Sequence, residues 1–151
     1  LRNVRILIEG MNVLDVPVVA TEQYPKGLGH TVPVIAESLG DAPVLEKASF
    51  SCCGDFGFEV KLTELHKTEI ILCGIETHVC VYQTARDLIG LGYNVHLVTD
   101  AVSSRTPENR DLGIHAIERL GARCTGTEMV LFELLTISGT EEFKAISKLV
   151  K

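Results

Sequence analysis

The second half of the chain constrains the fold more than any other feature, because short apolar runs alternate there with stretches of helical periodicity. Glu69-Ile70-Ile71-Leu72-Cys73-Gly74 reads as a strand, and Thr77 to about Leu91 reads as a helix stopped by Gly92. Val95-His96-Leu97-Val98-Thr99 is the next strand. Thr106-Pro107-Glu108 opens a further helix, with Thr106 as N-cap and Pro107 at the first helical position, and that helix ends at Gly121. Ala122 to Thr125 is a last short strand, and two amphipathic helices follow, Glu128 to Leu135 and Glu141 to Val150. Strands joined through helices run parallel, and the helices must cover both faces of the sheet.

The first half follows the same plan less regularly. Val4, Ile6, Leu7, Ile8, Met11, Val13 and Leu14 fit a helical stripe over Leu1 to Asp15. Val16 to Thr21 reads as a buried strand entered at Pro17, and Glu22 to His30 as a turn region. Val32 to Leu39 is a short helix, Val44 to Lys47 a short strand, Ser51 to Gly57 a Cys- and Gly-rich loop, and Phe58 to Leu65 a helix. With 151 residues, 46% of them hydrophobic, the chain has the material for one core, and residues 1–151 read as a single α/β domain. A formal net charge of −6 argues against nucleic acid or an anionic membrane as the main partner. No apolar run reaches the roughly 18 residues of a membrane span. No signal-peptide pattern opens the chain, and five cysteines follow no disulfide framework, so a cytosolic or organelle-matrix setting rather than secretion is expected.

In open α/β sheets ligands gather beyond the carboxyl ends of the strands. Those ends carry Thr21-Glu22-Gln23-Tyr24, Lys47, Gly74 to Cys80, and Asp100 to Arg105. Cys80 falls in the first turn of a helix, where free N–H groups and the helix dipole favour a thiolate able to act as a nucleophile. A small buried residue facing the sheet is the other reading of Cys80. Lys47 reads either as a group that orients a carboxylate or as a solvated lysine. His78, two residues before Cys80, points elsewhere on a helix and lines a pocket mouth or caps the helix. Arg105 reads as an anion contact or as the partner of an acid in a capping turn. No HxH, HExxH or CxxC pair occurs, and no metal site is read. Lys26-Gly27-Leu28-Gly29 lacks the GK[ST] of a phosphate loop.

Gly74-Ile75-Glu76-Thr77-His78-Val79-Cys80 resembles the signature of the isochorismatase-like (cysteine hydrolase) superfamily, a strand ending in Gly-aliphatic-x-[Thr/Ala]-x-x-Cys. Thr21 to Gly29, Lys47-Ala48-Ser49-Phe50-Ser51, Asp100 to Arg105 and Glu142 to Ile146 extend the likeness across the chain, and it is most like the isochorismatase domain-containing proteins. The resemblance implies a three-layer α/β/α fold around a mostly parallel sheet and an Asp-Lys-Cys triad in which Cys80 is the nucleophile and Lys47 the lysine. It also implies a cis peptide at Ile75–Glu76 and an oxyanion hole built from the Glu76 and Cys80 backbone N–H groups. Tyr24, His78 and Arg105 become substrate-binding candidates. Together with Lys47, the latter two suggest a polar, even anionic, ligand.

The family's aspartate lies on a first strand ahead of the helix with which this sequence opens, and no residue here matches it. That strand is central in the family's sheet, between the runs at Val18 and Ile70, so the sequence reads as an N-terminally incomplete record of a longer chain. The expected function is cysteine-dependent hydrolysis of a small amide-like or related molecule, without cofactor or metal. A non-catalytic small-molecule- or partner-binding protein on the same scaffold is the alternative. Nicotinamidase activity is disfavoured, since those relatives carry an Asp-x-His-type metal site absent here. Homo-oligomers, which the family usually forms, are expected.

Overall fold

A computed structural model describes residues 1–151. Helix α1 (Arg2–Val13) is followed by strand β1 (Ala20–Gln23), one-turn α2 (Pro25–Leu28), α3 (Pro33–Leu39), β2 (Val44–Lys47) and α4 (Phe56–Leu65). Then come β3 (Glu69–Ile75), α5 (Tyr82–Gly90), β4 (Asn94–Ser103), α6 (Pro107–Arg119), β5 (Arg123–Thr125), α7 (Thr127–Leu135) and α8 (Glu141–Val150). All strand pairs are parallel, as crossover helices require. They form a β1–β2 sheet and a β3–β4–β5 sheet; β1 and β3 do not pair with each other. No helix is long and apolar enough to cross a membrane.

Two apolar clusters make this a layered α/β/α structure. On one side α1, α7 and α8 bring Ile6, Leu7, Met11, Leu131 and Ile146 onto Val98 and Ala101 of β4. On the other, α4, α5 and α6 bring Leu62, Ala85, Leu88 and Ile117 onto Val95, Leu97 and Val102. Helix α1 spans the join between the sheets, since Val18 ahead of β1 and Ile71 and Cys73 of β3 pack on the same cluster. The crossing of α1 and α7 needs a glycine: a Cβ on Gly10 would lie 2.5 Å from Leu131 Cδ2.

Strand limits differ from the sequence reading in two places. Val16 to Val19 stay outside the ladder, because Asp15 turns the chain at φ 53° and the Val16 N–H bonds back to the Met11 carbonyl. Strand β4 runs past Thr99 to Ser103 through an excursion. Leu72 pairs with Leu97 and Gly74 with Val102, so β3 advances two residues while β4 advances five. Carbonyls freed there are satisfied elsewhere: Arg110 donates to those of Thr99 and Val102 and Asn3 to that of Asp100 at 3.0 Å, while the Asp100 carboxylate ties the excursion to α7 by accepting from the N–H and hydroxyl of Thr127 at 2.8 Å. The excursion delivers Ser103 and Ser104 to the end of β3.

Leu131 is fully buried where α1, α7 and α8 meet. Leu131→Ala is expected to lower stability by about 2–5 kcal/mol, through lost apolar burial plus a cavity. Urea unfolding followed by far-UV circular dichroism checks this as a fall in midpoint at unchanged slope.

Candidate active site

The strand ends of both sheets meet at Cys80. The chain leaves β3 through the Ile75–Glu76 peptide, which is cis, and enters a wide π-type turn, Thr77–Val81, before α5 begins. Such widened turns recur at functional sites. Two contacts hold this one. The buried Thr77 donates its hydroxyl to the Ser103 carbonyl at 2.9 Å. Gly113 of α6 packs against the turn's backbone, where an added Cβ would lie 2.8 Å from His78 N and Thr77 C. The helix predicted from Thr77 therefore exists, but its first turn is not α-helical.

Cys80 is half-buried, and its Sγ lies 3.9 Å from the Gln23 side-chain oxygen at the end of β1. The same oxygen accepts from Lys47 Nζ at 2.5 Å. Lys47, 5% exposed, also donates to the Ser49 and Phe50 carbonyls, both at 2.9 Å. Gln23 and Lys47 face each other in the β1–β2 register, and the Gln23 amide nitrogen donates to the Ala48 carbonyl at 2.8 Å. Lys47 is thus a buried, fully hydrogen-bonded ammonium at the site, not a solvated lysine, and all its acceptors are neutral. The sequence reading gave Gln23 no role of its own, because its place opposite Lys47 comes only from the pairing of β1 with β2.

The remaining candidates lie around this centre, each engaged within the protein. Glu76 takes a bidentate pair from Arg105 Nε and Nη2, at 3.1 and 2.8 Å, and the Arg105 backbone N–H at 2.9 Å. The arginine's hydrogen bonds hold the Glu76 carboxyl down at about 2. The Glu76 backbone N–H has no partner in the protein. His78 Nδ1 lies 3.0 Å from the hydroxyl of Ser104, in the Asp100 to Arg105 stretch already marked at a strand end. Tyr24 sits in the left-handed region at φ 41°, its N–H on the Lys47 carbonyl at 2.9 Å. The loop beyond it is tied to Glu22, which accepts from the Thr31 N–H at 2.6 Å and from His30 Nδ1 at 2.8 Å; the Thr31 N–H does most to keep the Glu22 carboxyl at about 2.

All five cysteines are free. Burial pushes the thiols of Cys53 and Cys73 up to about 11, so neither forms a thiolate near neutral pH. Nowhere are three His, Cys, Asp or Glu side chains grouped as around a metal ion.

Residues 1–129 match the Isochorismatase domain. The chain belongs to the isochorismatase family. It is similar to the secreted isochorismatase effector Isc1 of Phytophthora sojae (strain P6497), at 44% identity over 155 residues covering 96% of this chain and 71% of that protein. Isochorismatase domain-containing protein 1 of Danio rerio is 40% identical over 146 residues, covering 96% of this chain and 51% of the relative, so the chain spans about half that protein's length. Among solved structures, that of MAR1 ribonuclease from Caenorhabditis elegans has a TM-score of 0.92 and 42% identity, covering 99% of this chain and 77% of that one. The layered fold is thus the isochorismatase fold.

Two predictions follow from the turn and its ion pair. Gly113→Ala drives a methyl into the His78 and Thr77 backbone and is expected to lower the melting temperature. Gly90→Ala in α5 meets no atom within 4 Å and is expected to be neutral or to stabilise by up to about 1 kcal/mol. Differential scanning calorimetry of the two variants checks the contrast. The second concerns pH. Because the Glu76 carboxyl is held below its ordinary 4.5, the Arg105 pair adds stability that is fully present above pH 4.5 and is lost as pH falls toward 2. Glu76→Gln should lower the melting temperature at neutral pH, with the gap to the native chain closing across that window.

Proposed function

We propose that this chain carries the nucleophile and lysine of a cysteine-dependent hydrolase acting on a small amide-like or related molecule. One observation carries the reading: the Cys80 sulfur and the buried Lys47 ammonium converge on a single oxygen, that of Gln23. Membership of the isochorismatase family supports hydrolysis as the reaction class. Cys80 in its thiolate form adds to the substrate carbonyl carbon, and the π electrons move onto oxygen. The unpartnered Glu76 N–H, with that of Cys80, receives the oxyanion. Collapse expels the amine or alcohol, which takes up the proton drawn earlier from the thiol, and water then displaces the acyl group from sulfur as the carboxylic acid, returning the thiol. In the triad an aspartate removes the thiol proton while Lys47 keeps that carboxylate ionised. No residue of this chain matches that aspartate, and an amide oxygen such as that of Gln23 is too weak a base for the task.

That same amide favours a second reading, a non-catalytic binding protein in which Gln23 and Lys47 orient a ligand. The ribonuclease activity named for the Caenorhabditis elegans protein is a third chemistry, which the net charge of −6 disfavours here. Self-association belongs to the proposal as well, since Leu112, Met129 and Ile137 each leave most of their apolar surface in water.

Thiol reactivity discriminates the first two. With limiting iodoacetamide at pH 7.5 and peptide mapping by mass spectrometry, Cys80 is expected to be modified first, at least about tenfold ahead of Cys53 and Cys73. Cys80→Ser should abolish turnover of amide and ester libraries. Cys80 reacting no faster than Cys53 or Cys73 leaves the binding-protein reading in place. RNA serves as the comparison substrate, and degradation of it that survives Cys80→Ser would mean a different site.

A further inference from the structure

The cationic groups that suggested an anionic ligand are occupied. Lys47 spends its donors on Gln23, Ser49 and Phe50, and Arg105 is clamped by both oxygens of Glu76. His78 Nδ1 is hydrogen-bonded with the Ser104 hydroxyl. The large side chains beside Lys47 that face water are instead aromatic. Tyr24 is 58% exposed and Phe50 56% exposed, and the backbone of each bonds directly to Lys47: the Tyr24 N–H to its carbonyl and the Phe50 carbonyl to its ammonium. Neither ring's backbone is free to wander. Tyr24 occupies a left-handed conformation that a bulky residue adopts only when its surroundings enforce it, and its ring covers Gly27, where a Cβ would lie 2.3 Å from the ring edge. Across the site Ile75, 72% exposed, immediately precedes Glu76.

From this arrangement we propose that Tyr24 and Phe50 are specificity determinants that select a neutral, aromatic or apolar group on the molecule attacked by Cys80. The inference rests on Cys80 being the nucleophile. A carboxylate-bearing ligand meets an Arg105 charge already neutralised by Glu76 and a Lys47 whose three protons are spent, whereas an apolar ring gains by leaving water against the exposed Tyr24 and Phe50 side chains.

Two thiol reagents with one reacting group test this: N-benzyl-2-iodoacetamide and N-(carboxymethyl)-2-iodoacetamide. In both, the Cys80 thiolate forms a bond to the methylene carbon as the C–I bond breaks and iodide leaves. The rate ratio of the two at Cys80, divided by the ratio for N-acetylcysteine amide, isolates the contribution of the site. The benzyl reagent is expected to be favoured about tenfold. Phe50→Ala and Tyr24→Ala should each remove most of that preference, while Phe50→Leu keeps part of it and Leu91→Ala, at an exposed position just past the C-terminus of α5, leaves it unchanged. Alanine at position 50 retains the carbonyl that Lys47 uses, so loss of preference is not loss of the lysine's partner. A normalised ratio at or below one, or a preference untouched by both alanine variants, overturns the assignment. Reaction with the carboxymethyl reagent that is faster than the free thiol and, after normalisation, at least as fast as with the benzyl reagent overturns it while leaving the nucleophile intact; if Cys80 reacts with neither reagent faster than the free thiol, the nucleophile reading and this one fall together.

Discussion

A charge buried at the end of a two-stranded sheet organises this protein's candidate site. An ammonium removed from water is tolerated only where each of its protons finds an acceptor. Lys47 meets that demand with the Gln23 side chain and the carbonyls of Ser49 and Phe50. One side chain thereby pins the end of β1, the end of β2 and the loop leaving it. Since Gln23 also meets Cys80, the same hydrogen bonds reach across to the other sheet where no backbone ladder does. The electrostatic requirement of a single lysine thus ties together the backbone at Tyr24 and Phe50 and the amide that meets the Cys80 sulfur.

The opposite half of the site is held by sterics more than by charge. Gly113 brings α6 against the backbone of the turn, and the hydroxyl of Thr77 fastens that turn to the end of β4. The β4 excursion that supplies Ser103 and Ser104 survives because Arg110 and Asn3 satisfy carbonyls it removes from the ladder, while the Asp100 carboxylate ties it to α7. The Glu76–Arg105 pair is more exposed, with the guanidinium 72% accessible, and contributes orientation to the turn rather than much stability.

The fold was legible where periodicity and punctuation agreed. Thr106, Pro107 and Gly92 stand where the structure has an N-cap, a first helical residue and a turn at φ 90°. The parallel α/β plan followed from strand and helix alternation, and the family from the run Gly74 to Cys80. What could not be read depended on contacts distant in sequence. The wide turn at Thr77 owes its shape to Gly113 and Ser103, and the strand limits of β4 to Arg110. Individual site residues were legible by place but not by environment. Lys47 stood at a strand end, yet only the pairing of β1 with β2 shows it buried against Gln23. Glu76 and Arg105 lie 29 positions apart, and nothing local announces their pairing.

Helix α1 has a consequence for how such a chain is made. Its apolar stripe is covered chiefly by α7 and α8, and Arg2 donates to the Val150 carbonyl at 3.3 Å. On a ribosome α1 therefore finds its lid only after α7 and α8 are synthesised, an interval on the order of ten seconds at ordinary elongation rates. Through that interval Ile6, Leu7 and Met11 are open to whatever is nearby. Slower translation lengthens that exposure, and a chaperone that covers an apolar helix face would shorten it.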